Sequence, residues 1–218
     1  MTDPNPLPYV LVDPRAVARR APYTFFLPSD EERAAVKPGD LVKLEFEYHQ
    51  QVETWTAERM WVIITDIDQH VLSGVLDNVP DEPTSPLTAG EIIRFERHHI
   101  LSIQWSDPDF APAASPHREY WERCLVDSCI LDESVPVEYL YREEPYPQTE
   151  GDTYPDSGWR IRGRVGGATD EEVDAREVRY VAVGAVLNRD DSWLELIDEP
   201  AGSSFMRNFE TGFYIRQD

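Results

Sequence analysis

Only two cysteines occur in 218 residues, Cys124 and Cys129, too few for a disulfide framework. Five positions apart on one strand, they would point to opposite faces, so a local disulfide between them is not expected. Two unpaired thiols suit a reducing cytoplasm. No apolar run approaches the ~20 residues that cross a bilayer, so no membrane role is expected. The opening MTDPNPLPYV has neither a basic nor an apolar stretch, which argues against a signal peptide. Positive charge is scarce as well. Lys and Arg total 20 against 42 Asp and Glu, a net charge of −22. A surface this acidic repels phosphate backbones, which argues against nucleic acid as a partner. The same charge steers a basic partner, or serves solubility alone. Disorder is not the consequence. With 41% hydrophobic residues, including 6 Trp, 10 Tyr and 8 Phe, the chain can build cores.

Signatures of catalysis are missing too. Gly163, Gly166 and Gly167 precede a helix, but no Gly-Lys-Ser/Thr accompanies them. Asp170, Glu171 and Glu172 fill the first turn of that helix and would repel a phosphate, so the glycines read as turn residues. No serine sits in a Gly-x-Ser-x-Gly elbow, and neither cysteine has a nucleophile's local signature. Asp66, Asp68 and His70 would share a face on a regular strand, yet they occupy a hairpin turn, where Asp and Gln bond their own backbone. His98 and His99 are adjacent and face opposite ways on a strand, and His49 and His117 stand alone. The sequence therefore predicts no catalytic residue, no metal and no cofactor.

What is present divides the chain. Residues 1–21 are proline-rich, with a short helix over Asp13–Arg20, and read as an arm. Residues 22–105 read as a β-rich companion domain. Ser29 and Glu32 form a capping box, and period-2 patterns follow at Leu41–Tyr48, Met60–Ile67, Val71–Leu76, Ile92–Phe95 and Ile100–Trp105. Five short strands with one helical turn predict a small, strongly bent β-sheet or SH3-like barrel. Residues 106–123 read as a linker on their Pro, Ala and Ser content. An α+β domain follows over 124–218. Its predicted strands are Val126–Leu131, Val135–Tyr141 and Trp159–Arg164, with an apolar, β-branched stretch at Val178–Val186 and an aromatic close over Phe205–Ile215. Thr169 with Glu172 caps a helix to about Glu177, and Asp190 caps a short one over Ser192–Ile197.

DTYPDSGWRIRGR, residues 152–164, is the most specific stretch. Asp156 suits an Asx-turn, Gly158 permits φ > 0, and Trp159 opens a strand. Ser157, Gly158 and Trp159 then form a structural corner whose indole fills the core. Arg160, Arg162 and Arg164 share the outer face. The loop before the corner supplies the candidate partner-binding residues Tyr146, Glu150, Asp152, Tyr154 and Asp156. Aromatics with few rotamers and acids on a proline-stiffened loop are what a basic partner needs.

Through YLYREEPYP, DSGWRIRGR, YVAVGAVLNRDDSWLELIDEPAGSSFMRN and GFYI, residues 124–218 resemble a family of bacterial polymorphic-toxin immunity proteins. The first half resembles an uncharacterised companion domain through VKPGDLVKLEFEY, ERMWVIITDIDQHVLSGVLDNVP and AGEIIRFERHHI. That family's acidic stretch after DSGW is replaced here by the arginine strand. The resemblance implies a cytoplasmic immunity protein that binds a cognate toxin, a basic one such as a nuclease, without catalysis. Two other readings stand beside it: an acidic housekeeping scaffold or regulatory module, and an enzyme of unrecognised type.

Overall fold

The computed structural model describes residues 7–113, 116–149, 151 and 153–217. Two compact units emerge: the described residues of Met1–Arg19 with Phe26–His117, and Arg20–Phe25 with the described residues of Arg118–Asp218. Each has its own six-stranded sheet.

In the first unit, β1 (Tyr9–Leu11) and helices α1 (Arg15–Arg20) and α2 (Asp30–Ala35) precede the strands β2 (Leu41–Tyr48), β3 (Ala57–Asp68), β4 (Val71–Leu76), β5 (Ile92–Glu96) and β6 (Ser102–Gln104). Ser29 and Glu32 form the expected capping box on α2. The antiparallel order β1-β2-β3-β4-β5 curls into a half-barrel, because β6 returns to pair with β2 beside β1. Strict alternation along β2 buries Val42, Leu44, Phe46 and Tyr48 against Met60, Val62 and Ile64 of β3. The last strand is shorter than its pattern, because Arg97–His99 forms a 3₁₀ turn and Ile100 drops into the core.

The second unit contains β7 (Arg123–Asp127), α3 (Ser128–Asp132), β8 (Val137–Arg142), β9 (Asp156–Gly163), α4 (Asp170–Asp174), β10 (Val178–Ala182), α5 (Val183–Leu187), β11 (Ser204–Arg207) and β12 (Tyr214–Gln217). The sheet order is β10-β7-β9-β8-β11-β12, with β7 and β9 parallel. Ile130 of α3 and Val183, Val186 and Leu187 of α5 cover one face. They pack with Trp159, Ile161, Leu140, Phe205 and Trp193. The fold class is α+β, mostly sheet, as the sequence predicts.

Several boundaries differ from the expectation. Val126–Leu131 is not one strand: it ends at Asp127 and continues as α3. Cys124 therefore lies on β7 and Cys129 on a helix, both unpaired. Val178–Val186 likewise splits between β10 and α5, α4 stops at Asp174, and only Leu194–Leu196 turns after Asp190. Continuous apolar runs fit a buried strand and a buried helix equally, and each run here crosses from one to the other.

Candidate functional site

DSGW is not a corner ahead of a strand; it belongs to the strand. β9 starts at Asp156 and contains an irregularity. Arg123 pairs with Asp156, and the next pair is Leu125 with Arg160, so β9 spends more residues than β7 over this step. The surplus loops out at Ser157-Gly158, with Gly158 at φ 83°. Ser157 satisfies the loosened backbone: its hydroxyl donates to the Arg123 carbonyl at 2.7 Å and accepts from the Trp159 amide at 3.2 Å. Gly158 accepts from the Glu143 amide at 2.9 Å, and any Cβ there would strike the Glu143 carbonyl oxygen.

The bulge shortens β9 so that Asp156 reaches Arg160. Nη2 donates to Oδ2 at 2.8 Å and Nη1 to Oδ1 at 3.1 Å. Asp156 is 6% exposed and Arg160 3%, which corrects two expectations of exposure: the Asp156 carboxylate is buried against Arg160, and Arg160, though on the face away from the core, is covered. Burial works against the Asp156 carboxylate, but Arg160 and the backbone amides of Tyr146 and Gly158 hold its pKa below the usual value. Glu143 adds a second carboxylate to the same guanidinium, 2.9 Å from Arg160 Nε.

Trp159 fills the core, as its structural role requires. Its ring meets Trp193 edge-on at 5.6 Å, and its indole N–H donates to the Ile197 carbonyl at 3.3 Å. Arg162 and Arg176 flank the fully buried carboxylate of Asp127 at 3.2 Å each. Arg164 stacks on Phe209 at 4.2 Å.

The opposite face of this sheet has a different character. Its register aligns Tyr180, Leu125, Arg160 and Tyr141 in one row, and Arg162, Tyr139, Met206 and Ile215 in another. Neither α3 nor α5 lies here, since both pack on the Trp159 side. Tyr139 and Tyr141 stack at 5.5 Å and line an open groove of about 490 Å³ beside Gly202 and Ser204. Tyr180, Met206 and Ile215 are exposed. The loop between β8 and β9 lies over this face. Tyr146 covers Arg160 at 4.5 Å, and Tyr154 stacks on Trp121 at 6.0 Å beside Tyr180 and Arg123. Both loop tyrosines remain exposed.

Residues 124–217 match the family model described as an immunity protein Imm33 domain. Apart from Arg123, the first residue of β7, the match spans the six strands of the second sheet. Residues 16–106 match DUF2314, described as an uncharacterised protein conserved in bacteria. No curated protein and no solved structure matches the chain.

Of the residues singled out in the sequence, the structure brings Tyr146 and Tyr154 to the open face of the second sheet and takes Asp156 away from it. Glu150 and Asp152 lie outside the described residues. Asp66, Asp68 and His70 fall at the β3–β4 hairpin, all exposed. Among the described residues, no group of three or more His, Cys, Asp or Glu side chains is arranged to hold a metal, and no helix is long and apolar enough to cross a membrane. Sequence reasoning missed Tyr139, Tyr141, Tyr180, Met206 and Ile215. For Tyr139, Tyr141 and Met206 the signal was the alternation in VEYLYR and SFMR, which places one residue in two on the face away from the core.

Proposed function

We propose that this protein is an immunity protein that binds a cognate toxin in the cytoplasm and neutralises it by occlusion, without catalysing a reaction. The match of residues 124–217 to an immunity protein domain carries the proposal. The open sheet face gives it a surface: Tyr146, Tyr154, Tyr180 and Tyr141 with Met206 and Ile215. Tyrosine supplies large contact area at low entropic cost, and the bulge fixes the base of the loop that bears two of the four. Glu143 and Glu144 add negative charge at the rim, and the chain from residue 105 onward holds 25 acids against 11 bases. A basic toxin such as a nuclease fits that field.

The deciding experiment is titration of the purified protein against the toxin domain encoded beside its gene, paired with a growth assay. A stoichiometric complex and restored growth are expected. A toxin that remains unbound and fully active in the presence of excess protein would overturn the reading.

A further inference from the structure

The first unit carries a second surface, built differently. The loops joining β2 to β3 and β4 to β5 meet at one end of the half-barrel, and two carboxylates, the buried Glu82 and the half-buried Glu58, staple them together. Glu82, only 2% exposed, accepts the amides of Glu53 at 2.9 Å, Thr54 at 2.8 Å and Trp55 at 2.8 Å, and also the Thr84 amide at 3.0 Å. Glu58 accepts the amides of Asp81 at 2.6 Å and Glu82 at 3.2 Å together with the Tyr48 hydroxyl.

The bracing fixes an apolar pair facing outward. Trp55 is 54% exposed and Val79 78%, and they border a depression of about 250 Å³ lined also by Ala57 and Met60 and by the polar Glu58, Asn78 and Asp81. Tryptophan is among the side chains that most often anchor a protein interface, and here Glu82 already fixes the backbone amide that carries it. The charge around it names the occupant. The two loops and adjoining strand ends hold Glu53, Glu58, Asp77, Asp81, Glu82 and Glu91 against one base, Arg59, which is itself bonded to Glu45 at 2.7 Å. A second copy of this chain would bring like charge against like.

We infer that the Trp55–Val79 platform is a docking site for a basic protein segment: an apolar side chain seats against the indole, and flanking lysines or arginines meet the acidic rim. The inference is independent of the toxin reading, because the platform lies wholly in the first unit.

Two peptides test it, Lys-Lys-Leu-Lys-Lys and its glycine counterpart Lys-Lys-Gly-Lys-Lys, titrated into the isotope-labelled full chain with the indole N–H signals as reporters. The leucine peptide is expected to shift the Trp55 indole saturably and to bind at least threefold more tightly than the glycine peptide. Trp55→Ala and Val79→Ser should each abolish that preference while the remaining amide spectrum stays native, and Tyr154→Ala should leave it intact. Equal binding of the two peptides, or shifts scattered over the acidic surface with the Trp55 indole unmoved, would overturn the proposal. Neither outcome bears on toxin binding, which is measured with the toxin domain itself.

Discussion

Asp156 and Arg160 stand four residues apart on one strand, yet carboxylate and guanidinium meet at 2.8 Å. A regular strand would hold their Cα atoms about 13 Å apart. The difference is the Ser157-Gly158 bulge, so the pair and the glycine depend on each other. Gly158→Ala forces a side chain into φ 83° and against the Glu143 carbonyl. It should cost about 1–3 kcal/mol from backbone strain alone. Asp156→Ala leaves Arg160 buried and short of a partner and should cost about 3–5 kcal/mol. Denaturant melts of both variants check this; an Asp156→Ala protein as stable as the parent would show the pair to be dispensable.

Acid should loosen the second unit through the same group. The folded-state pKa of Asp156 is depressed, and so is that of Asp190, which burial opposes but bonds from Ser192, the Val137 amide and Arg207 outweigh. A depressed carboxylate contributes stability at pH above its unfolded value, ~3.9, and the contribution vanishes as pH falls through the folded value. The melting temperature should therefore drop steeply below about pH 4. Asp156→Asn should melt lower at pH 7 and fall less between pH 4 and pH 2. Parallel slopes for the two proteins would assign the acid sensitivity elsewhere.

The physics behind the pair also explains what the sequence disclosed. LVKLEFEY could be read as a half-buried strand because alternation is a local property, and the Ser29–Glu32 box because a cap spans one turn. CLVDSCIL could not be divided, since its break at Asp127 comes from a carboxylate that the sheet needs: it accepts the Gly163 amide at 3.0 Å. Arg160 looked like a surface residue because its burial depends on a bulge that only pairing with β7 reveals. Tyr146 and Tyr154 were legible as exposed aromatics on a stiffened loop. The sheet face beneath them was not, because its rows join residues from six strands.

Core and surface roles separate by mutation. Trp159 is fully buried against Trp193, and Trp159→Ala should cost about 3–5 kcal/mol of stability. Tyr154→Ala and Ile215→Ala remove exposed side chains and should change stability by no more than about 0.5 kcal/mol. Each should weaken the toxin complex at least tenfold. Thermal melts beside binding titrations read both quantities. Native affinity in both surface variants would move the toxin site off this face.

The two thiols should react at very different rates. Burial pushes the Cys124 thiol up to about 12, so almost no thiolate forms at neutral pH. Cys129 is raised less and is partly exposed on α3. A disulfide reagent at pH 8 should label Cys129 slowly, and Cys124 only on unfolding. Two thiols titrating together in the native protein would contradict the closed core around β7.

Salt should act on the toxin complex through the association rate. With a net charge of −22 the protein attracts a basic partner before contact, and that attraction is screened once separation exceeds the Debye length, ~8 Å at physiological salt. Raising salt from 20 mM to 500 mM should slow association by at least tenfold. Dissociation should change little, because the tyrosines and Ile215 of the proposed occluding face carry no charge. Stopped-flow mixing at several salt concentrations separates the two rates. A flat association rate would remove the argument for a basic toxin while leaving the occluding face in place, and a salt-dependent dissociation rate would mean that charged pairs, rather than the aromatic face, hold the complex together.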